Sequence, residues 1–188
     1  MTSVRYGLDR STCAQASVEK SAYWRARLPL RFCLFVGALR YDKGLDYLLE
    51  AARISGLPVV IMGGGFREAQ LRQQAADAGL QQVQFLGGLP DEDKVALLEL
   101  CYAFIFPSHL RSESFGISLL EAAMYGKPLV SCEMGSGTTF INLAEQTGLV
   151  VPPRDAAALA QAMQRLWDDP EMARAMGVKA QRRYEEVF

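Results

Sequence analysis

With 188 residues, half of them apolar, the chain can build one substantial core, and its length favours a single domain over two. Twenty basic and twenty-one acidic residues leave a formal net charge of -1, which excludes the broad electrostatic attraction that nucleic-acid binding requires; an anionic ligand must be met locally. No apolar stretch reaches the roughly 18 residues of a membrane span, and Cys13, Cys33, Cys101 and Cys132 form no C-x-x-C pair, so the pattern predicts a soluble domain with buried free thiols rather than a metal site or disulfide framework.

Residues 1–30 are weakly periodic and read as a hinge or ordered lead-in, with Tyr23 and Trp24 available to pack on the domain at 31–188. From there short apolar runs alternate with longer amphipathic stretches. The runs Phe32 to Val36, Val59 to Met62, Val83 to Leu86, Ala103 to Phe106 and Leu129 to Cys132 predict buried parallel strands, and a further strand stops at Pro152 and Pro153. Leu45 to Ile54, Arg67 to Ala78, Glu92 to Cys101, Ile117 to Tyr125 and Ala156 to Trp167 place Leu or Ala at helical spacing, the last behind an N-cap at Asp155, and another helix follows Pro170. Strand and helix alternating with short turns predict an α/β fold, a Rossmann-like doubly wound parallel sheet, whose ligand lies beyond the carboxyl ends of the strands.

The loops after those strands carry the candidate chemistry. Gly37-Ala38-Leu39-Arg40-Tyr41-Asp42-Lys43-Gly44 sets two cations between glycines ahead of a helix, where unpaired backbone donors and a full charge suit a pyrophosphate; it also reads as a polar turn with solvated cations. Gly63-Gly64-Gly65 fails the dinucleotide fingerprint on spacing and is a tight turn or a close-approach loop. Gly87-Gly88-Leu89-Pro90 forms a structural turn or a wall against a base, with Asp91 as the cap of the next helix. In the stretch from Pro107 to Glu121, Glu113 lies in a loop, Ser114, Phe115, Gly116 and Ile117 lead into a helix, and Glu121 follows inside it. Two helical turns cover about seven residues, so both carboxylates can reach one crevice and accept hydroxyls of a ribose or sugar. They read equally as a cap and a solvated side chain. His109, the single histidine, offers a general base but has no orienting carboxylate near it in sequence and reads rather as a surface loop residue, and Glu133 to Thr139 reads as a hydroxyl-rich loop at the same crevice, able to close over a sugar.

Taken in order, Gly-x-Leu-x-x-x-Lys-Gly at 37–44, Val-x-Phe-Leu-Gly at 83–87, Pro-Ser at 107–108, Glu-Ser-Phe-Gly-Ile-x-x-x-Glu-Ala at 113–122, Gly-Lys-Pro at 126–128 and Thr-Gly-Leu-Val-Val-Pro-Pro at 147–153 resemble glycosyltransferase family 4, also called group 1. The likeness covers roughly residues 31 to 170. Its most specific element is the pair Glu113 and Glu121, similar to the family's E-x7-E motif, and Val4 to Asp9 resembles the hinge that leaves the family's N-terminal domain. The resemblance implies the C-terminal, donor-binding half of a GT-B fold, retaining transfer from a nucleotide diphosphate sugar, and no cofactor or metal. It further implies that Lys43 with Gly37 meets the diphosphate, Glu113 the sugar, the Ser114 to Ile117 backbone the sugar or phosphate, Glu121 the ribose, and Gly87, Gly88 and Leu89 the base, with Arg40 standing as a substitute for the arginine that the family places at position 38. Ala38 departs from the pattern, which places arginine there. The acceptor, a glycan or lipid-linked glycan of surface-polysaccharide or lipopolysaccharide assembly, is expected on an N-terminal half not in this chain. The full enzyme is expected in the cytoplasm or peripheral at the inner membrane face, with GDP-mannose the preferred donor and this fragment inactive alone. A flavodoxin-like or receiver signalling module, which needs a carboxylate cluster after the first strand, is the competing class, with another Rossmann sugar-nucleotide enzyme behind it.

Overall fold

The computed structural model describes residues 14–110 and 116–188. Glu113, Ser114 and Phe115, together with Cys13 and the hinge-like Val4 to Asp9, lie outside the described residues. The element order is α1 (Val18–Arg25), β1 (Cys33–Val36), a 3-10 turn (Tyr41–Lys43), α2 (Leu45–Ser55), β2 (Val59–Met62), α3 (Glu68–Asp77), β3 (Val83–Gly87), α4 (Asp91–Leu100), β4 (Ala103–Phe106), α5 (Ile117–Met124), β5 (Leu129–Cys132), α6 (Gly137–Ile141), β6 (Gly148–Val151), α7 (Ala156–Asp168) and α8 (Pro170–Val187). Every apolar run read as a strand is one.

All five strand pairings are parallel, and the sheet order is β3-β2-β1-β4-β5-β6. The strands are largely apolar, with Gln84 in β3 and Ser131 in β5 as exceptions, because the faces of the sheet are covered. Alternate residues enter different cores: Cys33, Phe35, Val59, Ile61 and Ile105 pack with α2 and α7, while Leu34, Val60, Met62, Phe104 and Phe106 pack with α4, α5 and α8. This is the doubly wound Rossmann-like arrangement. The chain builds outward from β1 to β3, then returns to the other side of β1 as β4, so strand order reverses between β1 and β4. In doubly wound sheets such a reversal is where ligands bind, beyond the carboxyl ends of the strands.

Caps set the helix starts. Asp155 accepts from Ala158 N at 2.9 Å and Asp169 from Met172 N at 2.9 Å, with Pro170 in the first turn of α8. Asp91 departs from expectation. It is the first residue of α4, behind Pro90, and makes no capping bond; its exposed carboxylate reaches Lys94 Nζ instead, at 3.3 Å.

The sequence pattern also carried no sign of α1, whose apolar Val18 is exposed and whose single buried residue is Trp24. This helix is pinned to α4 by polar bonds: Asp93 accepts from Trp24 Nε1 at 2.9 Å and from Lys20 Nζ at 2.8 Å. Cys33, Cys101 and Cys132 are free and buried, and burial pushes the Cys33 and Cys132 thiols up to about 12. No helix among the described residues is long and apolar enough to cross a membrane.

Candidate functional site

The turn after β1 is tied to its neighbours by backbone contacts. Leu39, fully buried, donates its N–H to Gly64 O at 3.0 Å and accepts from Arg67 N at 3.3 Å. The glycines of the second loop make this possible. Gly63 sits at φ +137°, and a Cβ there would stand 1.8 Å from Gly37 O; a Cβ on Gly65 would stand 2.6 Å from Leu39 O. The triplet is therefore a close-approach loop that shapes the first turn. Gly63 N also donates to Gly87 O at 2.8 Å, which draws Gly87, Gly88 and half-buried Leu89 to the same sheet end.

Within the first turn the two cations differ. Arg40 is half exposed and bonds Asp42 Oδ2 at 2.9 Å, so part of its charge is met by a neighbour. Lys43 is far less exposed, lies 3.8 Å from Asp42 Oδ2, and burial lowers its pKa against the opposing pull of Asp42. Ala38 is exposed at the turn's outer edge. Underneath, Arg67 grips Asp46 with bonds of 2.6 and 2.9 Å, and those bonds hold the Asp46 carboxyl below its ordinary range.

The fourth strand ends against this turn. Gly44, at φ +70°, lets the two loops touch: a Cβ on it would fall 2.0 Å from Pro107 O. His109 N donates to Asp42 O at 3.2 Å. The lone histidine is therefore no surface residue. It is 5% exposed, with its ring edge-on to Tyr41 and Tyr47 at centroid distances of 5.1 and 5.3 Å. Its burial comes from the other loop, which sequence spacing could not show. Burial and the charge of Arg154 lower its pKa, opposed by Asp42 and Asp46.

Gly116 precedes α5 and packs on the Phe106 ring, with Ile117 exposed at the helix start. Glu121 is neither solvated nor free. Its Oε1 accepts from Lys94 Nζ at 2.8 Å, and the side chains are 15% and 21% exposed. Burial opposes the charge on Lys94, but Glu121 and Asp91 together hold its pKa above the ordinary value. Sequence reading missed Lys94, which stands on α4. Gly37, Arg40, Lys43, Gly87, Gly88, Leu89, Gly116 and Ile117 thus lie at the carboxyl edge, with Glu121 over a turn into α5 from it. No metal-binding cluster occurs among the described residues. A broader depression of about 610 Å³ along α3, lined by Gln70, Gln73, Gln74, Asp77 and Ala78, lies on a helix flank away from these groups.

Comparison with known proteins gives the family and the fold. The family model described as "Glycosyl transferases group 1" matches residues 20–183. The chain is 54% identical over 185 residues to the D-rhamnosyltransferase WbpZ of Pseudomonas aeruginosa, covering 98% of this chain and 49% of that protein. It is 49% identical over 185 residues to the O-antigen chain mannosyltransferase C of Escherichia coli, covering 98% and 50%. The chain thus spans about half the length of these relatives. A solved C-terminal domain of a glycosyl transferase group 1 family protein from Francisella tularensis superposes with a TM-score of 0.78 at 19% identity, over 94% of this chain and 95% of that one, which shows the fold to be that of such a C-terminal half.

Proposed function

Because the chain belongs to the group 1 glycosyl transferases, we propose that it is the donor-binding half of a retaining hexosyltransferase acting in surface-polysaccharide synthesis, with GDP-mannose as donor. The observation that carries this reading is the partly buried Glu121 on α5, held through one carboxylate oxygen by Lys94 beyond the strand-order reversal at β1 and β4, where the Gly44 turn meets the end of β4 at Pro107. Lys43 stabilises the departing diphosphate, an electrostatic contribution aimed at charge that develops in the transition state; most backbone N–H groups of its turn, those of Gly37, Leu39, Arg40, Lys43 and Gly44, already donate within the protein. Glu121 accepts from the ribose hydroxyls through the oxygen that Lys94 leaves open. Glu113 takes the transferred sugar, in keeping with the family motif.

In the transfer step, the bond from the sugar's anomeric carbon to the diphosphate breaks and a bond to the acceptor hydroxyl forms on the same face. The hydroxyl proton passes to the departing diphosphate. The two glutamates hold hydroxyls and are not a hydrolase acid and base pair. No metal or cofactor takes part. The acceptor, a glycan or a lipid-linked glycan, binds the N-terminal half of the whole enzyme, which works in the cytoplasm or at the inner face of the membrane. The names of the rhamnosyl- and mannosyltransferase relatives support the substrate class. This chain alone is expected to bind the donor and transfer nothing.

Calorimetric titration with GDP, UDP, dTDP and their sugars tests the reading. Glu121→Ala should abolish nucleotide binding with the thermal transition retained. Unchanged affinity in that variant, or sugar transfer by the isolated chain, would sink it.

A further inference from the structure

Buried polar atoms without partners are uncommon in folded proteins, and they mark places where another group belongs. In this chain they are concentrated. Among the described residues four buried side-chain atoms lack a hydrogen-bond partner, and three of them are Ser108 Oγ, His109 Nδ1 and His109 Nε2. The fourth, Arg31 Nε, belongs to a guanidinium that still donates to Trp167 O at 2.7 Å and lies over the Tyr102 and Trp167 rings. The imidazole has no such outlet: its ring is fixed by Tyr41 and Tyr47, and both nitrogens are unanswered.

His109 also lines a cleft of about 430 Å³ at the ends of β4, β5 and β6, with Glu133, Met134, Gly135 and Pro153. Two features of this lining select its occupant. Glu133 Oε1 accepts from Gly135 N at 3.0 Å, which steadies an exposed carboxylate whose other oxygen stays available. That negative charge disfavours a phosphate. Met134 and Pro153 add apolar surface. A carboxylate acceptor, an imidazole and a small apolar wall suit a neutral polyol, which offers hydroxyls around an apolar C–H face.

We propose that His109 and Glu133 form the hexose subsite of the donor site, the imidazole N–H donating to one sugar hydroxyl and the Glu133 carboxylate accepting from another, with Met134 and Pro153 against the ring. This rests on reading the chain as a donor-binding domain. It adds sugar-binding residues outside the two motif glutamates. Ring burial and Arg154 favour the neutral imidazole, against Asp42 and Asp46, and a neutral ring has one donor and one acceptor for hydroxyls.

The chain has one histidine, so its ring signals need no assignment. Titration of the 15N-labelled imidazole at neutral pH with GDP and then GDP-mannose, and with UDP and UDP-glucose, reads the contact directly. A nucleotide sugar should move the ring nitrogens where its bare nucleotide does not. Equal shifts from nucleotide and nucleotide sugar, or no shift from a sugar that binds, overturn the proposal. Two hydrogen bonds should also make the preferred nucleotide sugar bind roughly tenfold more tightly than its nucleotide. His109→Phe should erase that ratio while nucleotide affinity and the thermal transition hold. Should that variant not fold, Glu133→Gln, at an exposed position, should shrink the same ratio; a ratio unchanged in the variants, or a fall in nucleotide affinity to match, overturns the assignment. If no nucleotide of any kind binds the parent chain, the donor-binding reading itself fails, and the hexose subsite with it.

Discussion

Two regions of the molecule bury a polar side chain to the same depth and treat it in opposite ways. On the outer helical face, Asp93 is 4% exposed and its carboxylate is met by Trp24 and Lys20. At the strand ends, His109 is 5% exposed and its ring nitrogens have no hydrogen-bond partner among the described residues. The first arrangement is closed: its partners lie in the same chain, and it serves to hold α1 against α4. The second is open: the ring is held by Tyr41 and Tyr47, and its nitrogens are left without a partner among the described residues. Completeness of hydrogen bonding, more than burial, therefore separates a structural polar group from one that faces a ligand.

The sharpest way to break that contrast is to spoil the loop contact that shapes the open region. Gly44→Ala places a methyl 2.0 Å from Pro107 O in a left-handed backbone, adding strain to overlap. A loss of about 3 kcal/mol or more is expected in urea unfolding, together with loss of nucleotide binding. A stable variant that still binds nucleotide would show that the β1 and β4 loops need not touch.

Next in size is Asp93→Ala, which strands the buried indole N–H of Trp24. It should cost about 2–3 kcal/mol. His109→Phe should cost nothing or stabilise slightly, because it removes buried groups that had no partner. Equal losses in the two variants would erase the distinction between the two regions. The closed region also has a pH signature. Burial opposes the Asp93 charge, but the bonds from Lys20 and Trp24 prevail and its folded pKa lies below the ordinary carboxylate value. A depressed pKa contributes stability that is present above the unfolded value and lost as pH falls through the folded one. The stability gap between the parent chain and Asp93→Ala should therefore narrow in acid, below about pH 4.

Which parts were legible in the sequence follows from range. The strands were, because burial on both faces leaves a short unbroken apolar run such as Val59–Met62. The cap at Asp155, the helix after Pro170 and the glycine-bounded turn at 37–44 are equally local signals. Helix α1 was not legible: its attachment is a tertiary hydrogen-bond set centred on Asp93, and only one of its residues is buried. The short α6 was hidden within a tract that read as loop. At the site, Glu121 was legible as a residue, but its partner Lys94 stands 27 positions away on another helix. The burial of His109 was invisible for the same reason, since Tyr41, Gly44 and Tyr47 cover it from the loop and helix after β1.

The Lys94 contact gives the smallest expected effect and the finest test. Lys94 touches Glu121 through one carboxylate oxygen and so acts as a positioning residue: it sets where the other oxygen points. Removing it as Lys94→Met keeps the aliphatic stem and the packing on α4. Because the ion pair is only partly buried, about 1 kcal/mol or less of stability should be lost, a shift of a degree or two to a few degrees in the thermal transition. A merely structural lysine would stop there. If it orients Glu121 toward a ribose, affinity for GDP should drop about fivefold while affinity for the 2′,3′-dideoxy nucleotide, which has no hydroxyls to offer, stays constant. Parallel losses for both nucleotides would mean that Lys94 supports the fold of this corner and not the direction of the carboxylate. Loss confined to the ribonucleotide would place the ribose on α5, over a turn from the loops where the diphosphate is expected, and would give the open region its second fixed point.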